Sequence, residues 1–395
     1  MGGYSEPTAS AVPGSGEGHP TSARTERRVW LDNLKVLLIS LIIVIHGVLG
    51  YSSLEVWTYT EYREVTLNPV IEAVLFLAAA PFALLMIPLL FLVSGLLTPD
   101  SVRRKGPGRF AVDRLVRLGV PFAVFVLLIE PALVYWLAHR LGAAEGTWFE
   151  EYLISEGRID SGPLWFVGVL LVFSGFHAAW VALRPRREPA LGEATVAGLL
   201  LASAGVAAAS FLVRLAFRYG SEAGPSDLNF WEWPACAVAF GLGVVGAGQG
   251  WLDGTSPTLH RGCRRVTVIA LAAMTALLFH AGWTDRFDQV LGGWSWFALA
   301  FAVVEAPLAL CGSVWLLGVA QRRLDGRFPG DAALTRASYA AFVVQGVSLL
   351  GLSLALRPVG LPAEAKAVLV AVGSLVGSFG LAWVLVRLPL IRHVL

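Results

Sequence analysis

Ten apolar runs, each long enough to cross the hydrocarbon core of a bilayer as a helix, recur down the chain and constrain its fold more than any other feature. They fall at roughly 30–52, 69–98, 111–138, 162–183, 192–218, 231–250, 264–282, 293–320, 336–356 and 365–388. Lipid offers no hydrogen bonds, so a spanning segment must be a helix or part of a closed barrel. A barrel would show short alternating segments, and none are visible. The composition agrees: only 15% of residues are charged, against about 25% in soluble domains. The expected fold class is therefore all-α, a polytopic membrane protein of about ten transmembrane helices.

The charges between the runs give the orientation. If the N-terminus is cytoplasmic, 21 of the 30 Lys and Arg residues fall on that side and 8 on the other, with Lys35 inside the first run. Basic residues collect on the cytoplasmic side of membrane proteins. Both termini are expected inside, in the plasma membrane, which an even helix count also requires. The net charge of +2 hides this asymmetry.

Residues 1–29, rich in Gly, Pro, Ser and Thr, read as a disordered cytoplasmic tail, with the transmembrane domain at 30–395. No small-residue cleavage pattern closes the first run, so it is expected to stay as an uncleaved anchor. The stretch "HRLGAAEGTWFEEYLISEGRIDSG" either caps an outward-facing cavity or lies at the interface. Cys236 and Cys311 fall in runs and Cys263 in an inner loop; neither a disulfide nor a metal site is expected.

Two constellations carry chemistry. In "LDNLKVLLISLIIVIHGV" the eleven residues from Lys35 to His46 make three turns and about 20°, with a rise of about 16 Å, so both side chains share a face. Asp32 lies within about 40° of the same line. Ionisable groups at such depth are costly and face a cavity or a partner; the plainer alternative is a packing histidine with a snorkelling lysine. In "SGLLTPDSVRRKGPGRFAVDRLVRLGVP", Arg114 and Arg117 sit one turn apart where an apolar run begins. Guanidinium forks suit phosphates, whereas the neighbouring loop charges are explained by topology.

"LDNLKVLLISLIIVIHG", "LLFLVSGLLTPDSVRRKGPGRFAVDRLVRLGVP" and "GPLWFVGVLLVFSGF" together resemble successive blocks of the acyltransferase 3 family, in the branch resembling glucan biosynthesis protein C. Weaker similarity continues to about residue 350. The resemblance implies transfer of an acetyl or other small acyl group from acyl-CoA to a hydroxyl of a carbohydrate, a cell-envelope glycan or a glycosylated metabolite. The family's Arg-x10-His pattern falls on Lys35 and His46, with Lys for Arg, and its Arg-x-x-Arg pattern on Arg114 and Arg117. In the ninth run Tyr339 is kept, while Gln345 stands where many relatives have His. The CoA head would rest among Arg114, Arg117, Lys35 and Arg103, with His46 as general base or as a transient acyl carrier.

Glu305, alone in "FAVVEAPLAL", is a further catalytic candidate that would orient His46 or the acceptor; the alternative is a packing carboxyl or a partner for another helix. Asp32, Trp165 and Tyr339 are candidates for substrate binding, with a rim ion pair and a packed aromatic as the structural alternatives for the first two. "GLGVVG" (Gly241 to Gly246) matches a dinucleotide fingerprint by spacing but follows no strand, and close helix packing explains it better. Expected partners are the lipid bilayer, acyl-CoA and a glycosylated acceptor; nucleic acid has no support and a homodimer stays open. The rival function is a transporter or exporter of modified glycans, though no internal repeat is seen.

Overall fold

The computed structural model describes residues 1–3, 28–54, 58–61, 63–142, 146–147, 160–184, 192–220 and 228–389. Most of the tail and of the acidic loop after residue 142 lies outside them. Ten helices long and apolar enough to span a membrane account for the fold, and no strand occurs among the described residues. They are α1 (Val29–Leu49), α2 (Pro69–Lys105), α3 (Pro107–Arg140), α4 (Gly162–Leu183), α5 (Val196–Val213), α6 (Phe230–Gly248), α7 (Pro257–Trp283), α8 (Trp296–Arg323), α9 (Asp331–Leu356) and α10 (Ala363–Leu385). We call the face on which α1 begins the basic face.

Several ends differ from the expected runs, and three of them have a clear local reason. α2 continues through Pro99 and takes Arg103, Arg104 and Lys105 into its last turn, where cations complement the helix dipole. It stops at Gly106, whose φ of 77° suits glycine. α7 begins seven residues before the expected run. Pro257 occupies its first turn, and the Ser256 hydroxyl accepts from the Leu259 amide at 3.2 Å. Cys263 is therefore helical rather than in a loop, and it is buried, as Cys311 is. α9 likewise starts early, at Asp331 after the left-handed Gly330.

α8 is the most buried of the ten and forms the centre of the bundle. α1 packs on α9 and α10, α2 on α6, and α5 on α8. Glycines set the closest approaches. A Cβ on Gly95 would come 2.1 Å from the Phe240 carbonyl oxygen, and one on Gly243 would come 2.1 Å from that of Leu92. Gly243 belongs to "GLGVVG", so its role is the close crossing of α2 and α6. Gly47 does the same between α1 and α10, against Ala371. The outer surface is apolar, as lipid requires. Trp283, Trp294 and Trp296 are exposed near the far face, the level at which aromatic belts form.

Among the described residues, two helices contain wide π turns. In α3 these are Leu115–Gly119 and Phe125–Ile129; in α8 the turn Leu308–Gly312 follows Pro307. Proline lacks the amide that would close an ordinary turn, and wide turns recur at functional sites.

Candidate active site

α1 is unbroken from Val29 to Leu49, so Lys35 and His46 lie on one face and about 16 Å apart along the axis. Lys35 is at the basic face, with its Nζ 3.9 Å from Asp32 Oδ1. Arg114 of α3 is close enough for its charge to act on Lys35, and also on Tyr339 of α9. Its guanidinium lies 5.1 Å from the centre of the Phe110 ring. Its Nε is buried without a hydrogen-bond partner among the described residues, which leaves a donor for a ligand group at this spot.

Arg117 behaves differently from its neighbour. It falls in the first π turn, which widens the helix, and its side chain is 62% exposed with Nε 3.3 Å from Asp113 Oδ1. The Tyr339 hydroxyl donates to the Arg117 carbonyl at 3.0 Å and ties α9 to this turn. Arg114 is thus partly buried and Arg117 exposed, with Arg117 close enough for its charge to act on Arg114. Arg103 pairs with Asp100 at the end of α2 and is largely exposed. Lys105 pairs with Asp113 at 2.8 Å and fastens α2 to α3.

At the deeper end of the α1 face, His46 Nδ1 is 3.1 Å from Gln345 Oε1. Gln345 is fully buried in the middle of α9, and its Nε2 donates to the Phe342 carbonyl at 3.0 Å. The Phe342 ring meets Phe166 of α4 edge to face, and Trp165 is buried beside Phe166. The site is therefore built from α1, α3, α4 and α9, with cations at the mouth and an imidazole–amide pair inside.

Comparison with protein families matches the acyltransferase domain model over residues 28–387, nearly the whole chain. The chain belongs to the acyltransferase 3 family. It is a multi-pass membrane acyltransferase. The match holds at the level of the family rather than of a branch. No curated protein and no solved structure matches the chain.

In this acyltransferase the partner of Glu305 is Arg214, not His46. The guanidinium spans the carboxylate, Nη2 to Oε1 at 2.8 Å and Nη1 to Oε2 at 2.7 Å, with both side chains buried. Arg214 also donates to the Trp231 carbonyl and lies over the Tyr219 and Phe301 rings. The Tyr219 hydroxyl donates to Glu232 at 3.1 Å. Sequence reasoning singled out Glu305 and passed over Arg214, near the end of the fifth expected run. Yet a single Arg in "FLVRLAF" and a single Glu in "VVEAP" are opposite charges in apolar runs, and that signal was available.

A second group escaped in the same way. Lys366 is buried at the start of α10, and its ammonium donates to Glu64 Oε1 at 2.5 Å. The other Glu64 oxygen accepts from the Tyr59 hydroxyl at 2.7 Å. Burial works to raise the Glu64 pKa, but these two hydrogen bonds and the Lys366 charge hold it below the ordinary carboxylate range. The cluster ties the connection between α1 and α2 over the far ends of α9 and α10. Glu72, at the start of α2, accepts from the Ser53 amide and hydroxyl and anchors the same connection.

Proposed function

We propose that the acyltransferase takes an acetyl or other small acyl group from acyl-CoA at the basic face, which is cytoplasmic. It passes that group to a hydroxyl of a carbohydrate, a cell-envelope glycan or a glycosylated metabolite. The reading rests on one observation above all: a cationic mouth of Lys35 and Arg114 shares a face of the site with His46, about 16 Å deeper along α1. That span suits a donor whose charged nucleotide stays in a basic mouth while its thioester reaches into apolar protein. The unpartnered Nε of Arg114 fits a phosphate oxygen. Arg117 and Arg103, more exposed, add attraction at the entrance.

His46 acts as general base. It takes the proton of the acceptor hydroxyl as that oxygen attacks the thioester carbonyl carbon. The C–S bond then breaks, the proton passes to the departing sulfur, and the imidazole returns to its neutral form. The products are the ester and free CoA. The acceptor enters from the far face, and Trp165 and Tyr339 line the acyl path. Glu305 keeps Arg214 and the far half of the bundle in place instead of touching the reacting atoms.

The test is binding of acetyl-, propionyl- and succinyl-CoA to purified protein in detergent. Wild type and His46→Ala should bind at least one of them saturably, and Arg114→Ala should weaken it by about 10-fold or more. Only wild type among these should transfer the acyl group at full rate. If wild type binds none of the three, the donor assignment fails and export of modified glycans becomes the better reading.

A further inference from the structure

We propose that Gln345 is a positioning residue that holds His46 in the tautomer protonated at Nδ1 and so leaves Nε2 as the proton acceptor. The inference rests on the general-base reading of His46 given above and assigns the atom that does the work.

The argument is a matter of donors and acceptors. An amide side chain has one end that only donates and one that only accepts. In Gln345 the donating end is committed, because Nε2 lies 3.0 Å from the Phe342 carbonyl oxygen, which can only accept. Turning the amide over would set two oxygens against each other. Oε1 must therefore face His46, 3.1 Å from Nδ1. An amide oxygen cannot donate, so Nδ1 carries the hydrogen. A neutral imidazole has a single N–H, and with the Gln345 oxygen at Nδ1 the lone pair falls on Nε2. Gln345 is fully buried, so water does not compete for the bond.

The same logic shows what this position requires. A side chain at 345 must donate to the Phe342 carbonyl and accept from His46. A neutral imidazole offers that pair of functions and leucine offers neither. Gln345→His should therefore preserve the arrangement and Gln345→Leu should lose it.

Nitrogen NMR of histidine-labelled protein in micelles tests this, with the His46 signals identified by their loss in His46→Gln. Wild type should show a hydrogen on Nδ1 and a bare Nε2. Gln345→Leu should show mixed tautomers, with kcat lowered roughly 10- to 100-fold and KM for the donor changed by less than about twofold. Gln345→His should restore both the tautomer and kcat to near wild type. A hydrogen on Nε2 in wild type, or an unchanged kcat in Gln345→Leu, would overturn the proposal. Should Gln345→Leu fail to fold, the wild-type spectrum decides alone. Full activity in His46→Gln would instead sink the general-base reading beneath it, whatever the tautomer.

Discussion

At Glu305 both carboxylate oxygens are taken by one guanidinium, and neither side chain of the pair reaches solvent. Removing one partner of such a pair strands a charge and costs about 3–5 kcal/mol, whereas replacing both costs far less. Glu305→Gln should therefore lower the unfolding free energy, followed in an SDS titration, by that amount. Adding Arg214→Met should recover much of the loss. Donor affinity of the folded fraction should stay at its wild-type value; a selective loss of affinity would return Glu305 to the active site. Lys35 and His46 were legible from sequence because their separation runs along one helix, where rise and rotation are fixed. The Arg214–Glu305 pair crosses between helices, and periodicity within a run carries no information on which helices touch. The same holds for Gln345, whose importance lies in what its amide faces.

The helices themselves were legible because apolar length is set by the bilayer. Their ends were less so, since α2 and α7 extend into water on polar residues that no hydropathy window counts as spanning. The glycines of "GLGVVG" show how far a motif can be read. Its small residues suggested close packing, but the structure alone separates Gly243, pressed on α2, from Gly241, around which space is open. Gly243→Val should destabilise by about 1–3 kcal/mol or more through overpacking. Gly241→Ala should stay within roughly 0.5 kcal/mol. Thermal scanning of the two variants in micelles checks the contrast, and equal midpoints would contradict the crossing described. The turn Leu115–Gly119 was not legible at all. The spacing of Arg114 and Arg117 suggested equivalent neighbours, and the structure buries the Nε of one and exposes the other at the wide turn.

For the molecule as a whole, the uneven spread of Lys and Arg between the two faces predicts which face meets the cytoplasm. The three native thiols are buried, so single cysteines at exposed positions can report on sidedness. On intact cells an impermeant maleimide should label Arg286→Cys and spare Arg104→Cys. The reverse pattern would place the cationic mouth outside the cell, away from any pool of CoA thioesters. The wide turns of α3 and α8 have a bearing on how such a molecule changes over time. A π turn is an ordinary turn holding one residue too many. Deleting that residue closes the turn without breaking the helix and leaves what lies beyond it facing as before, because the wide turn already takes up the extra residue's rotation of about 100°. Single-residue deletions, ruinous elsewhere in a spanning segment, thus have three places among the described residues where they can be absorbed. Each of them changes only its own turn: in α3 the wall beside and beyond the cationic mouth, and in α8 the centre of the bundle.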